Sequence, residues 1–162
     1  ISPYCDLGKC SESDYDNLLD TNLKGTFFLT QFFINKCLER KVEGNIVNVA
    51  SNSGLVGLTS PYGLSKRAVV GFTEGIAKRY YRNHIRCNAV APDVTISNIT
   101  GWSNQFDPEG NLYDLGVKHD RVFRAEEIAE VALFLLSDRA KCVNGQTIAC
   151  DNSGSLAENS VG

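Results

Sequence analysis

The apolar positions of the chain form two kinds of pattern, one typical of helices and one typical of strands. Long segments with apolar residues at helical spacing predict helices at about 12–41, 61–82 and 125–137. Short segments rich in apolar residues predict strands at 46–50, 85–90 and 146–150, the first of them buried. Because helices alternate with these strands, the pattern predicts a layered α/β architecture with a parallel sheet covered on both faces.

The first predicted helix is apolar around an unusually wide arc of its circumference. Its apolar positions are Leu23, Phe27, Phe28, Leu29, Phe32, Phe33, Ile34 and Leu38. A helix that is apolar over so wide an arc is usually buried on two sides. We therefore expect one side to meet the sheet and the other to meet a partner subunit.

Length, composition and charge narrow the class of protein. The chain has 162 residues, of which 43% are hydrophobic and 22% charged, so we expect a single globular domain over 1–162. The net charge of −3 provides no basic field that would attract nucleic acid. The longest apolar run, 131–136, is far shorter than the roughly 20 residues that span a bilayer. We accordingly expect neither a nucleic acid nor a membrane as partner.

The six cysteines indicate a reduced protein rather than a metal or disulfide scaffold. No two of them form C-x-x-C, and a chain of this size does not need disulfides to be stable. Cys87 and Cys150 lie in strand-like runs, where a buried thiol serves as a small core residue. His84 and His119 have no pattern of carboxylates or cysteines around them. We therefore expect no metal site, and a cytoplasmic location.

One short region brings together residue types suited to acid–base chemistry. Tyr62 and Lys66 are four positions apart in a predicted helix and therefore share one face. A nearby ammonium favours the phenolate and lowers the tyrosine pKa, which makes the phenol a plausible general acid or base. Ser51 follows a predicted strand at the sheet edge where α/β proteins bind ligands, and its hydroxyl could polarise a carbonyl. The Tyr-x-x-x-Lys spacing alone is weak evidence, since an aromatic residue near a solvated lysine often arises by chance.

Several motifs in a fixed order make the argument more specific. In chain order they are TNLKGTFFLTQ around Asn22, NIVNVASNSG, YGLSKRAVVGFTEGIA, IRCNAVAP, and AEEIAEVALFLLSD followed by VNGQTIACD. With these motifs the chain resembles the short-chain dehydrogenase/reductase family from near its first residue to about Gly154. The resemblance implies part of a Rossmann-like, doubly wound parallel sheet in three α/β/α layers. It also implies an NAD(P)-dependent oxidoreductase that interconverts a secondary alcohol and a ketone or aldehyde.

The resemblance assigns a role to each of four residues. Tyr62 corresponds to the acid/base, and Lys66 to the lysine that binds the nicotinamide ribose and lowers the tyrosine pKa. Ser51 corresponds to the serine that orients the substrate oxygen, with Ser53 as its rival. Asn22 corresponds to the asparagine whose local helix kink holds a water in a proton relay.

The cofactor would also contact residues that follow the second strand. The resemblance gives this role to Pro92, Asp93, Val94 and Ser97. The family's Pro-Gly reads Pro92-Asp93 here, so an acidic side chain stands where glycine lets the backbone approach the cofactor. We expect Asp93 either to weaken binding or to alter the cofactor preference.

The loop at 93–123 corresponds to the family's substrate loop. Its aromatic residues Trp102 and Phe106 could cover the substrate, together with Ser51 and Ser53, or could simply pack within the loop. The substrate class stays open among steroids, sugars, acyl thioesters and small alcohols.

The front of the family pattern is missing from the 162 residues. No two of the 14 glycines are separated by a single residue, so the phosphate-binding G-x-G turn is absent. By the resemblance, Ile1 falls just after the cofactor half, and roughly 90 residues at about 30 per βα unit precede it. NAD and NADP cannot be distinguished without that half, and we expect the 162 residues alone to be inactive.

Two functional alternatives follow. The chain is either the catalytic part of the oxidoreductase or a truncated, non-catalytic module for oligomerisation or interaction. In both cases the helices at about 12–41 and 61–82 would form a homodimer or homotetramer.

Overall fold

A computed structural model describes residues 7–97 and 122–156. Trp102, Phe106 and most of the 93–123 loop lie outside these residues, so their predicted role stays a prediction. The described helices are α1 (Glu12–Leu19), α2 (Gly25–Arg40), α3 (Pro61–Tyr80) and α4 (Ala125–Leu136). The described strands are β1 (Gly44–Val49), β2 (Ile85–Pro92) and β3 (Thr147–Cys150). A π-helical segment, Asp20–Lys24, joins α1 to α2.

The described strands form one parallel sheet in the order β1–β2–β3, which confirms the predicted parallel α/β arrangement. The predicted second strand ended at Val90, but β2 continues to Pro92 and pairs it with Cys150. The Ala89 amide donates to Gln146 O directly before β3, and the Asp93 amide donates to Cys150 O at its end, so hydrogen bonds on this side alternate along the strand. The nitrogen of Pro92 therefore faces away from β3, so its missing N–H costs no hydrogen bond to that strand.

Helices cover both faces of the sheet. On one face, Ile34 of α2 and Ile76 of α3 pack in one apolar cluster with Ile85 and Cys87 of β2. On the other face, the Arg86 guanidinium donates to carbonyls just after α4, those of Ser137 and Val143. The chain thus forms the three α/β/α layers that the resemblance implies.

Helix α3 buries polar residues that its apolar pattern did not predict. On this helix Ile76 is buried and Ala68 and Phe72 are half-buried, whereas Ser65 and Thr73 are fully buried. Their hydroxyls are satisfied by carbonyls one turn earlier on α3, with Thr73 Oγ1 donating to Val69 O at 2.8 Å. The Asn48 amide of β1 in turn donates to Thr73 Oγ1 at 2.9 Å. A hydrogen-bonded polar layer therefore joins α3 to the sheet at the level of these residues.

Within the single protomer, helix α2 is buried against the core on one side, and burial of its other side against a partner subunit stays a prediction. Thr30, Ile34 and Cys37 face the core. Six large apolar side chains of α2 are between 38% and 71% exposed: Leu38 near its end, and a group of five nearer its start, Phe27, Phe28, Leu29, Phe32 and Phe33. We call these five residues the α2 apolar face. A contiguous apolar surface of this kind is typical of an interaction site.

Two of the cysteines are free thiols in the core. Cys37 and Cys87 are buried in the apolar cluster between the sheet and the helices. Burial raises the pKa of the Cys87 thiol to about 12, only partly offset by a hydrogen bond with Thr73. Cys87 is therefore protonated and unreactive at neutral pH. Among the described residues, no helix is long and apolar enough to cross a membrane.

Candidate active site

A cleft of about 500 Å³ opens at the carboxyl ends of β1 and β2. This position is where open α/β sheets bind ligands, and the volume lies within the range of small-molecule sites. Among the predicted site residues, the cleft is lined by Ser51, Ser53, Tyr62, Lys66, Pro92, Asp93, Val94 and Ser97. The residues predicted to contact the cofactor therefore lie together in one cleft. Of the four catalytic candidates, Asn22 does not line this cleft. Thr95, Ala125 and Ile128 also line it, and no sequence motif pointed to them.

Ser51 is held in place by the backbone around it. Its extended backbone caps the short helical turn Asn52–Gly54, and its Oγ accepts from the Ser53 amide at 3.2 Å. The same hydroxyl lies 3.5 Å from Pro92 O, to which it donates. With only 8% of its surface exposed, Ser51 is fixed between the ends of β1 and β2.

Gly54 lets the turn after Ser51 press against α3. A Cβ at this position would lie 2.7 Å from the carbonyl carbon of Lys66 and 2.9 Å from the amide nitrogen of Arg67. Both are backbone atoms of α3, which cannot move aside as a flexible side chain can. The Arg67 guanidinium also donates to Gly54 O at 3.2 Å. The glycine thus sets the distance between the Ser51 segment and the helix that carries Tyr62.

Tyr62 lies in the first turn of α3. Pro61 begins the helix, and Ser60 caps it by accepting from the Gly63 amide at 3.2 Å. Lys66 follows one helical turn later, and its Nζ lies 5.6 Å from the centre of the Tyr62 ring. An ammonium within about 6 Å of an aromatic ring is attracted by it, so the two side chains share one face as predicted.

The Lys66 ammonium is anchored to the sheet. Its Nζ donates to Val49 O at 2.9 Å, and burial lowers the pKa of Lys66 below its usual value. The Gly44 amide donates to His84 O directly before β2 and the Ala50 amide to Val90 O of β2, so backbone groups of the odd-numbered β1 residues face away from β2. The lysine thus binds a carbonyl at the outer edge of β1, a contact that the sequence did not predict.

Asn22 lies in the π-helical segment, where the Gly25 amide donates to Asp20 O five residues earlier. The sequence-based expectation of a local helix irregularity at Asn22 agrees with this geometry. The Asn22 amide donates to Ser65 Oγ at 3.4 Å, and Ser65 Oγ donates to Tyr62 O at 2.7 Å. Asn22 is 8% exposed and connects to the Tyr62 turn through Ser65. Sequence reasoning missed Ser65, because a serine on a helix carries no signal of burial.

The segment after β2 is fixed by backbone hydrogen bonds. The Asp93 amide donates to Cys150 O at 3.2 Å, and Thr95 Oγ1 donates to Asp93 O at 2.8 Å. Phe123 pairs with Val94 and Ile96 in a short bridge. Asp93 therefore has a defined backbone position at the cleft wall.

Comparison with known proteins identifies the family. A family model described as enoyl-(acyl carrier protein) reductase matches residues 1–153. The chain belongs to the short-chain dehydrogenase/reductase family. Over 140 residues it is 38% identical to the A-factor type gamma-butyrolactone 1'-reductase (1S-forming) of Streptomyces virginiae. That match covers 85% of this chain and 54% of the relative, so the chain spans about half the length of that protein.

Solved structures of dehydrogenases share the fold. A mutant 4-hydroxyisoleucine dehydrogenase complexed with NADH and succinate superposes with a TM-score of 0.87 at 26% identity, covering 98% of this chain and 66% of that one. A gluconate 5-dehydrogenase from Burkholderia cenocepacia J2315, in complex with NADP and tartrate, gives a TM-score of 0.84 at 26% identity. This second match covers 98% of this chain and 62% of the neighbour.

The described cleft suits the nicotinamide end of such a nucleotide. Hydroxyls of Ser51 and Tyr62 and the ammonium of Lys66 offer polar contacts, while Val94 and Ile128 offer apolar ones for a flat ring. No G-x-G turn occurs in the 162 residues, so the usual cradle for the diphosphate is absent from them. The residues of this cleft therefore fit the nicotinamide half of the nucleotide, which is the half that reacts.

Proposed function

We propose that the full-length protein is an NAD(P)-dependent oxidoreductase that interconverts a secondary alcohol and a ketone or aldehyde, with Tyr62 as general acid/base. The observation that carries this proposal is the single cleft shared by Ser51, Tyr62 and Lys66. The dehydrogenases and reductases among the similar proteins support the reaction class. Family membership supports NAD or NADP as the cofactor.

Each residue has a defined task in the proposed reaction. The bound nicotinamide nucleotide supplies hydride chemistry, accepting a hydride from the alcohol carbon or donating one to the carbonyl carbon. In the oxidising direction, Tyr62 takes the proton of the substrate hydroxyl as the C–H bond breaks. In the reducing direction, Tyr62 returns that proton to the carbonyl oxygen. Ser51 turns its one hydroxyl proton from Pro92 O to the same substrate oxygen and stabilises the charge that develops on it.

Lys66 and Asn22 support Tyr62 rather than touch the reacting atoms. The positive charge of Lys66, whose Nζ lies 5.6 Å from the centre of the Tyr62 ring, stabilises the negative charge that develops on the phenol during proton transfer. The contacts from Asn22 to Ser65 and from Ser65 to Tyr62 O hold the first turn of α3 against the π-helical segment. Both residues thereby position the phenol for proton transfer.

The proposal predicts nucleotide binding and turnover by the full-length protein. Calorimetry with NADH and NADPH should give a micromolar Kd for at least one of them. Absorbance of the reduced nucleotide should then change when alcohols or ketones are added. A full-length protein that binds neither nucleotide would contradict the proposal and favour the non-catalytic interaction module.

We also infer that the protein forms a homodimer or homotetramer through α2 and α3. Support comes from the α2 apolar face and from the adjoining groove, where Phe27 of α2 meets Phe72 of α3 with ring centres 5.3 Å apart. Phe32→Glu would bring a charge into that interface and should dissociate the oligomer, because burying an unpaired carboxylate is costly.

Analytical ultracentrifugation, which measures the oligomeric state, tests this prediction. Val42→Glu is the matched control, since Val42 is 51% exposed and follows α2 outside the α2 apolar face. The interface assignment fails if Phe32→Glu sediments as the unchanged protein does, or if Val42→Glu dissociates it equally well.

A further inference from the structure

The cleft contains two charged side chains of opposite sign. Among the described residues that line it, Lys66 and Asp93 are the charged ones. Lys66 belongs to the machinery proposed for Tyr62, and its ammonium is anchored to Val49 O. Asp93 has no part in proton transfer and stands where the family pattern has glycine, so its carboxylate requires a separate explanation.

Backbone geometry does not require glycine at position 93 in this chain. The non-glycine residues with positive φ in the described ranges are Lys41, His84, Asn152 and Ser153. Asp93 is not among them and therefore has a backbone conformation that any residue adopts. The hydrogen bonds of its amide to Cys150 O and of its carbonyl with Thr95 hold this backbone at the cleft wall. What distinguishes aspartate from glycine here is thus the side chain and its charge.

The proposed reaction changes the charge of the nicotinamide ring in this same cleft. The oxidised ring carries one positive charge, whereas the reduced ring is neutral. The reacting end of the nucleotide must lie beside Tyr62 and Ser51, which share the cleft with Asp93. A carboxylate carried by a residue of the cleft wall attracts the oxidised ring and has no comparable attraction for the reduced one.

We propose that Asp93 is a specificity-determining residue that makes the site favour the oxidised over the reduced nicotinamide nucleotide. This inference rests on the proposed function, since it requires a nicotinamide nucleotide in the cleft. A preference for the oxidised form favours use of the enzyme in the direction of alcohol oxidation, because the reduced product leaves more readily. Asp93 thereby acts on the balance between the two nucleotide forms and not on the proton transfer at Tyr62.

Equilibrium binding of both forms tests the inference without any turnover. We would measure Kd for NADH and NADPH by fluorescence, and for NAD⁺ and NADP⁺ by competition, on the full-length protein. The relevant quantity is the ratio of the reduced-form Kd to the oxidised-form Kd. Asp93→Asn keeps the size of the side chain and removes its charge, whereas Asp93→Gly removes both. Asp138→Asn is the control for overall charge, because its side chain is 90% exposed and lies outside the cleft.

We expect the ratio to fall by at least roughly fivefold in both Asp93 variants and to stay unchanged in Asp138→Asn, because a pair of unit charges about 4 Å apart gives about that factor in bulk water and a larger one where water is excluded. Added salt should shrink the difference between wild type and Asp93→Asn. An unchanged ratio in Asp93→Asn overturns the inference. So does equal tightening of both forms in Asp93→Gly alone, which would show that only the bulk of the side chain matters. Wild-type protein that binds neither form instead contradicts the proposed function itself.

Discussion

Replacing Tyr62 by phenylalanine is expected to remove nearly all turnover of the full-length protein while leaving its nucleotide affinity unchanged. The substitution deletes the hydroxyl that transfers the proton and keeps the ring that packs beside Lys66, whose Nζ lies 5.6 Å from the ring centre. General acid–base catalysis typically contributes about 10²–10⁴-fold to a rate, so kcat should fall by that order. Steady-state kinetics and calorimetry with the preferred nucleotide measure the two quantities separately.

Tyr80→Phe is the matched control for this experiment. Tyr80 lies at the other end of α3, half-buried against the core, and far from the cleft. It loses the same hydroxyl group and should retain wild-type kcat. Near-normal turnover by Tyr62→Phe would remove Tyr62 from the catalytic role, whatever the fate of the other residues.

Gly54→Ala should both destabilise the fold and disable the site. The added Cβ would lie 2.7 Å from the carbonyl carbon and 2.8 Å from the carbonyl oxygen of Lys66, closer than real Cβ atoms approach backbone. The turn that follows Ser51 must therefore move away from α3. Overpacking of this kind typically costs about 1–3 kcal/mol of unfolding free energy. A displacement of about 1 Å between reacting groups can cost roughly 10²-fold in rate, so activity should fall as well.

Gly57→Ala is the matched control, because it adds the same methyl group to the same loop at a position without a close neighbour. No heavy atom lies within 4 Å of a Cβ built on Gly57. Its unfolding free energy should stay within about 0.5 kcal/mol of wild type, as for ordinary surface substitutions. Chemical denaturation of both variants, followed by circular dichroism, measures the difference. Equal stability of the two variants would show that the Ser51 turn is not held against α3 as described.

The periodicity of apolar residues was sufficient to predict the helices and strands of the fold. Short segments rich in apolar residues locate β1, β2 and β3, and apolar residues at helical spacing locate the long helices. The pattern failed where burial is polar. Ser65 and Thr73 are fully buried because their hydroxyls bond carbonyls of their own helix, and no hydrophobicity pattern detects such satisfaction.

The wide apolar arc of α2 shows a second limit. Hydrophobicity predicts that a surface is covered but does not say by which chain. The side carrying Ile34 packs on the sheet, whereas Phe28 and Phe32 are 57% and 61% exposed in the single protomer. The hydrophobic pattern of one sequence therefore does not distinguish residues buried within the chain from residues buried against a partner chain.

The candidate site was more predictable than its supporting contacts. The helical spacing of Tyr62 and Lys66 and the strand-end position of Ser51 were sufficient to place these residues in one cleft. The bonds that hold them depend on three-dimensional proximity of distant segments. Lys66 to Val49 O and Asn22 to Ser65 join residues 17 and 43 positions apart, so local pattern carries no trace of them.

The bond between Lys66 and Val49 O links the chemistry of the cleft to the edge of the sheet. In the described part of the chain, β1 pairs only with β2, and Val49 is 60% exposed. An edge carbonyl is also the group that an incoming strand would use for pairing. A strand added along β1 would therefore compete with the ammonium for this oxygen. By thermodynamic reciprocity, whatever strengthens the contact of Lys66 with Val49 O opposes strand addition at that edge to the same degree that strand addition weakens the contact.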